Sequence, residues 1–517
     1  MASTAVSLSR HTTSRLWQTR RYLSTSLSRA ALPKVPLWIR GKAVETSSGG
    51  TEIHLHSQTR QEACQVVLAG QTETDLAIRD SQRAFVEWKA HSGWDRRAIL
   101  TRVLSLLQER FDELAQALKH DVAVSDILIG ADQRSASNLV DGASSTAIEI
   151  EGSIPQTLDN SLALIFREPF GPTLSIPAFN YPLTLALRSI VYPLACGNTV
   201  ILKTPTHLPQ LYSLFGPLFA DAKLPPGCLQ ILNYSESTVS ERVEHIISDP
   251  DVGLVNFTGS TSLGRILAAK CGQYLKPSIM ELGGKSPAIV LPDADLELAA
   301  NNILFGAFFN SGQVCMSTER CFVHSDISET FQQVLINAMT ALESRSSHGF
   351  ELVRQGAGEG MDTLVKDAIS SGAQLIYPPE ESPLNPSESK TSRRPLILSN
   401  IPSTSTLSKV ESFSPMVALQ EFTSTSDLIS QVNQHETGLS SSIFTKEYAT
   451  ALDIARNIQA GAVHVNGMTI HDEHTLPFGG VKASGWGRFN GKGAIESFTW
   501  TKNVRLSMGH MLPLGAL

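Results

Sequence analysis

From residue 173 to residue 291 the chain changes its hydrophobic period repeatedly. Short apolar runs at 173–176, 199–202, 230–232, 253–257 and 286–291 are separated by helically spaced stretches at 181–194, 210–220 and after Ser260. Runs this short, bounded by turn residues, read as strands, and helices between them carry the chain back to start the next strand in the same direction. The order predicts an α/β fold built on parallel sheet with covering helices. A second cycle runs from Asn301 toward the C-terminus, and 517 residues exceed what one hydrophobic core organises, so at least two cooperating domains are expected.

Other segments fit around this frame. Apolar residues Ile99, Val103, Leu106, Leu107, Phe111, Leu114 and Leu118 predict a surface helix pair within 85–121, and alternation over 161–167 predicts a strand leading into Pro169-Phe170-Gly171-Pro172. Residues 378–394, rich in Pro, Ser, Glu and Lys, are expected to form an exposed loop.

Composition excludes several classes of function. Hydrophobic residues make up 42% and charged residues 18%, the balance of a globular enzyme. A net charge of -7 with no basic cluster beyond the N-terminus argues against nucleic acid as a partner. No membrane span is expected, because the most apolar region, 183–202, carries Arg188 and breaks at Pro193 and Gly197. The six cysteines form no C-x-x-C pair and have no nearby His ligands, so neither a metal site nor a disulfide framework is expected. Arg10, Arg15, Arg20, Arg21 and Arg29 lie among Ser and Thr, ahead of the first acid, Glu45. Residues 1–33 therefore read as a transit peptide directing the protein to the mitochondrial matrix, or as a disordered extension on a cytoplasmic protein.

The chemistry concentrates in two segments. In Phe309-Asn310-Ser311-Gly312-Gln313-Val314-Cys315 a thiol follows a small-residue turn after the apolar stretch 299–308. A thiolate there can add to a carbonyl carbon and, once hydride has left, hold the product as a thioester. In Met280-Glu281-Leu282-Gly283-Gly284-Lys285 a carboxylate stands before a Gly-Gly turn, where it can activate water. Read alone, Cys315 can also be a buried small hydrophobe and Glu281 a solvated helix-end acid.

Together the two segments, 34 residues apart from Glu281 to Cys315, resemble the active-site signatures of the aldehyde dehydrogenase superfamily. The resemblance runs from about Leu37 to Val504 and has a salicylaldehyde- and vanillin-dehydrogenase character in Arg188 to Asn198 and His471 to Phe478. It implies that Cys315 is the nucleophile, Glu281 the base, and Asn180, in Ile176-Pro177-Ala178-Phe179-Asn180-Tyr181-Pro182, the side-chain donor of an oxyanion hole shared with the Cys315 N–H. It implies NAD or NADP as cofactor, held by Ile176, Phe179, Lys203, Thr206, Gly259, Ser260, Glu411 and Phe413. Of these, Gly259 and Ser260 would meet the phosphates at a helix N-terminus, Lys203 the adenosine ribose, and Glu411 and Phe413 the nicotinamide end. The segment Pro477 to Arg488 is similar to the family's Gly-rich loop beside the substrate funnel, and Phe179, Val314, Met316 and Trp486 would line that funnel with apolar surface suited to an aromatic aldehyde.

The implied architecture is a Rossmann-like cofactor domain (34–151 and 169–281), an α/β catalytic domain (282–477), and a bridging and oligomerisation element (152–168 and 478–517) that makes a homodimer or homotetramer. A base at Glu281 speaks against a coenzyme A acylating enzyme. A semialdehyde substrate would need a charged anchor, for which Arg188 and His474 are the candidates; a non-catalytic binding protein would not need Cys315, Glu281 and Asn180 intact. Two departures stand out. Thr206 replaces the acid that the family offers to the adenosine 2'- and 3'-hydroxyls, which predicts weak discrimination between NAD and NADP, and Phe489 replaces the acid that often follows the Gly-x-Gly-Arg motif.

Overall fold

The computed structural model describes residues 32–345, 350–379, 390–507 and 509. The expected transit peptide or extension therefore lies, but for its last two residues, outside the described residues.

The first sheet has eight strands, in the order Gly485–Trp486, Ser278–Leu282, Leu254–Gly259, Pro172–Ile176, Thr199–Lys203, Leu229–Leu232, Leu37–Ile39 and Lys42–Val44. From Ser278–Leu282 to Leu229–Leu232 every pairing is parallel. Four of these five strands follow from the apolar runs. The fifth, Ser278–Leu282, gives no such signal because it carries a carboxylate, Glu281, into a buried strand. Chain order reverses direction at Pro172–Ile176: the next two strands are added on one side of it and the following two on the other. Ligands of open α/β sheets lie in the crevice outside the carboxyl ends of the strands at such a reversal.

The second sheet has seven strands, in the order Gln374–Tyr377, Leu396–Ser399, Met416–Phe422, Thr318–His324, Ser286–Val290, Ser440–Phe444 and Ala462–Val465. Only the first pairing is antiparallel. The chain passes between the sheets through Gly283, Gly284 and Lys285, so the carboxyl end of a first-sheet strand lies three residues from the start of a second-sheet strand. Cys315 and Glu411 likewise stand just ahead of second-sheet strands, Thr318–His324 and Met416–Phe422. The topology thus directs both sets of residues into one junction. Leu162–Pro169 and Thr499–Leu506 form a separate antiparallel ribbon paired along its whole length.

Three expectations are corrected. The region 85–121 holds the end of one helix, Gln71–Trp88, and then two more, Gly93–Glu109 and Phe111–Asp121, whose Ile99, Val103, Leu107, Leu114 and Leu118 are core residues. The stretch 210–220 is two helices, Pro209–Ser213 and Phe215–Asp221, parted at Leu214. The expected loop 378–394 lies partly outside the described residues, and its end is not exposed: Thr391, Ser392 and Arg393 are buried, and Ser392–Arg393 pairs with Phe350–Glu351. Thr391 donates to Glu351 and Arg393 to Asp362, so polar side chains are buried because partners from distant sequence satisfy them, which composition does not reveal. No helix among the described residues is long and apolar enough to cross a membrane.

Candidate active site

The loop that carries Cys315 follows the helix Leu296–Phe308, which starts on the Asp295 side-chain cap and buries Ala299, Ile303 and Ala307. After the helix, Asn310, Ser311 and Gly312 all adopt left-handed backbone, with φ of 50°, 58° and 72°. Each L-residue there costs about 1–2 kcal/mol, so the turn needs support from elsewhere. Gln313, almost fully buried, supplies it: its amide donates to the Asn310 and Glu351 carbonyls and accepts from Val353 N. A β-carbon on Gly312 would lie 2.2 Å from the Ser414 carbonyl oxygen, so only glycine closes the turn.

The turn sets Cys315 Sγ 3.3 Å from Glu281 Oε1, with the thiol donating. Among the described residues Cys315 is the one cysteine with appreciable exposure; the other five are buried, and all six are unpaired. Burial, then the Glu281 carboxylate, pushes the Cys315 thiol well above its ordinary range. Burial raises Glu281 as well, opposed mainly by the charge of Arg188. The Glu281 charge thus disfavours a thiolate, whereas the hydrogen bond from the Cys315 thiol favours the carboxylate, and the resting pair is a thiol hydrogen-bonded to a carboxylate able to take its proton.

Asn180 closes the turn between Pro172–Ile176 and the helix Pro182–Ala195, which begins on a proline at its first position. Buried Asp132 accepts from Leu183 N at 2.8 Å and Thr184 N at 2.9 Å, fixing that helix start. Asn180 Nδ2 donates to the Gln313 carbonyl at 2.9 Å, and Asn310 Nδ2 donates back to the Asn180 carbonyl at 2.8 Å. The amide is thereby fastened to the loop that bears the thiol. Cys315, Glu281 and Asn180, drawn from three separate segments, meet at one place.

Six of the eight expected cofactor residues, all but Glu411 and Phe413, lie at or just past the carboxyl ends of first-sheet strands. Ile176 ends the strand at the chain reversal, and Gly259 ends its neighbour. A β-carbon on Gly259 would strike the Phe257 ring at 2.5 Å. Ser260 caps the helix Thr261–Gln273, leaving an exposed helix N-terminus whose N–H groups suit an anion. Lys203 ends Thr199–Lys203, and burial pulls its ammonium down to about 8 against the opposing charge of Glu236. Thr206 is exposed on the rim of a cavity of about 300 Å³ that His207 also lines. The Phe179 ring meets His207 edge-on at 5.4 Å and Phe413 at 6.3 Å, spanning between that cavity and the second sheet.

Glu411 accepts from Gly284 N at 3.4 Å, and burial, then the nearby Glu319, pushes its carboxyl up to about 8. Such a carboxyl is well matched to ribose hydroxyls that would replace a weak bond with strong ones. Phe413 has left-handed backbone, φ 49°. Glu319, buried and paired with Lys285, holds that strained loop by accepting from Ser412 N at 2.8 Å and Phe413 N at 3.3 Å. This buried pair escaped the sequence reading, although Lys285 follows the Gly-Gly turn and Glu319 stands four residues beyond Cys315. Helix N-terminus, cavity and receptive carboxyl together fit a dinucleotide.

The aldehyde dehydrogenase family model matches residues 44–504. The chain belongs to the aldehyde dehydrogenase family. Its relatives include the vanillin dehydrogenase of Pseudomonas fluorescens, 35% identical over 92% of this chain and 98% of the relative. The salicylaldehyde dehydrogenase of Pseudomonas putida is 32% identical over 91% and 97%. Among solved structures, a salicylaldehyde dehydrogenase from Pseudomonas putida G7 complexed with salicylaldehyde superposes with a TM-score of 0.88, at 31% identity, covering 93% of this chain and all of that one. As an aldehyde dehydrogenase the protein is an NAD(P)-dependent oxidoreductase that converts an aldehyde to a carboxylic acid.

The thiol of this aldehyde dehydrogenase packs against a large apolar core cluster. Val314, Met316, Phe478 and Phe489 belong to one buried cluster, against which Phe179, Phe309, Ile470 and Cys315 pack. Trp486 does not join them. Its indole N–H donates to the Ser278 carbonyl, at the opposite end of the strand from Glu281, and the ring is 46% exposed. Arg188 is buried and ion-paired with Asp472, its guanidinium 4.7 Å from the Phe478 ring and 5.3 Å from the Phe489 ring. His474 packs on Gly142 and lines a cavity with His471, Glu473, Asn490 and Asp472, the ion-pair partner of Arg188.

Proposed function

We propose that this aldehyde dehydrogenase oxidises an aromatic aldehyde, with Cys315 as nucleophile, Glu281 as base and Asn180 as oxyanion donor. The observation that carries the reading is the 3.3 Å contact between the thiol of Cys315, the one cysteine among the described residues that is not fully buried, and a buried carboxylate. Glu281 accepts the thiol proton as Sγ bonds to the carbonyl carbon, and the carbonyl oxygen gathers negative charge beside the Asn180 amide and the Cys315 N–H. Bound NAD or NADP supplies the hydride acceptor. The acyl group is then a thioester on Cys315; Glu281 passes the thiol proton to solvent, draws another from the water that attacks the thioester carbonyl, and returns it to the departing Cys315 sulfur as the acid leaves.

The aromatic preference rests on the apolar core cluster that holds Val314, Met316, Phe478 and Phe489 and against which Cys315, Phe179 and Phe309 pack, and on the substrates named for the relatives, vanillin and salicylaldehyde. A semialdehyde with a charged tail fits less well, because the charge of Arg188 is already balanced by Asp472. A panel of aromatic, aliphatic and charged aldehydes, followed by reduced-nicotinamide absorbance, tests this. Aromatic aldehydes should give the highest kcat/KM; a charged semialdehyde at the head of the order would refute it.

The ribbon of Leu162–Pro169 and Thr499–Leu506 supports self-association into a homodimer or homotetramer. It is only two strands wide and exposes Leu162, Phe166, Trp500 and Leu506, and such edges favour pairing with a second copy. Sedimentation velocity should give an oligomer at micromolar concentration, and a monomer would refute it.

A further inference from the structure

Thr206, exposed and uncharged, leaves the adenosine end of the cofactor site without the acid expected just past the strand Thr199–Lys203. The neighbouring strand offers another. Leu229–Leu232 runs parallel to Thr199–Lys203, with Lys203 opposite Leu232, so the residues that follow both strands emerge side by side at the carboxyl edge where ligands of such sheets lie. Glu236 stands four residues past that edge, on the rim of the same cavity of about 300 Å³ as Thr206, and its charge reaches Lys203. Its loop is built. Thr204 Oγ1 donates to Asn233 Oδ1 at 2.7 Å, Thr204 N donates to the Leu232 carbonyl, and Asn233 Nδ2 donates to the Val67 carbonyl. Beyond Glu236, Thr238 N and Val239 N both donate to the Ser235 carbonyl.

We infer that Glu236 supplies the carboxylate that receives the adenosine ribose hydroxyls and repels a 2'-phosphate, so that the enzyme binds NAD in preference to NADP. This rests on the dinucleotide site assigned above and reverses the weak discrimination that Thr206 alone predicts. A carboxylate accepts two hydroxyl hydrogens but meets a phosphate as a like charge, so one group both gains NAD and rejects NADP. It shares the rim with Glu52, an acid on the strand Thr51–Leu55, and with Arg60, the cation that would instead welcome a phosphate. Glu236 is singled out from these because it follows the strand adjacent to Lys203.

The test is equilibrium binding of NAD and of NADP to the apoenzyme by isothermal titration calorimetry, which needs no turnover. Wild type should bind NAD at least about tenfold more tightly than NADP. Glu236→Gln should weaken NAD and bring the two within about threefold, and Glu236→Lys should invert the order; Glu52→Gln should change neither. The exposed position of Glu236 lets these variants fold. The inference is overturned if both Glu236 variants keep the wild-type ratio, or if Glu52→Gln or Arg60→Ala moves it and they do not. Those results leave the dinucleotide site standing, whereas failure of wild type to bind either dinucleotide overturns the site and the inference together.

Discussion

The two ends of the cofactor site are built on opposite physical terms. At the thiol end, Cys315 and Asn180 are fixed by buried hydrogen bonds through Gln313, Asn310 and Asp132 and by a left-handed turn that those bonds sustain, and Glu281 is held in a buried strand. At the adenosine end, Thr206 and Glu236 are exposed side chains on the rim of a cavity. The difference shows where geometry is costly. Bond-making needs reacting atoms held to a fraction of an ångström, so one lost support is felt throughout. Discriminating two dinucleotides needs only a charge of the right sign near a ribose, which any adjacent strand end can deliver.

Changes at the thiol end should therefore be severe and change rate, while those at the adenosine end should be mild and change binding. Cys315→Ala should cut acid formation by at least about 10⁴-fold with NAD binding unchanged, measured by turnover and calorimetry on one preparation. Glu281→Gln should lower kcat by about 10²- to 10⁴-fold and remove the acid limb of the pH profile. The sign follows from burial, which raises Glu281 above the usual carboxylate value. The base form is thus lost as pH falls through that raised value, and kcat/KM of wild type should drop at a pH above about 4.3, the usual figure for a free Glu. Asn180→Ala should cost about 10²- to 10³-fold in kcat, the scale of one oxyanion donor, with a smaller change in KM. Gly312→Ala should lower stability by about 1–3 kcal/mol in chemical denaturation, because the new β-carbon meets the Ser414 carbonyl in a backbone conformation that disfavours it. An effect of Asn180→Ala on dinucleotide affinity larger than its effect on kcat would erase the contrast between the ends.

What the sequence made legible divides along the same line. The α/β class and four of the five parallel strands followed from hydrophobic period, because strands buried on both faces must be apolar throughout. The meeting of Glu281 with Cys315 followed only from resemblance, since no periodicity brings residues 34 apart together. The strand holding Glu281 was hidden by the carboxylate that gives it a purpose. The left-handed backbone at Asn310 and Ser311 was equally hidden, because neither is glycine and the support comes from the Gln313 side chain and, through it, from Glu351 and Val353. Trp486 was misjudged because position beside a Gly-rich motif fixes the backbone and not the direction of an indole. Glu236 lay outside every motif; only the pairing of two strands brings it beside Lys203.

The central claim is that acyl transfer passes through one sulfur atom with Glu281 as the group that clears it. Glu281→Gln should acylate slowly and deacylate more slowly still, so after prolonged incubation with NAD and an aromatic aldehyde, acid quench and digestion it should yield a peptide bearing the acyl mass on Cys315 as the main modified species. An acyl group on any of the other cysteines, or acid released at the wild-type rate with none on Cys315, would contradict the account.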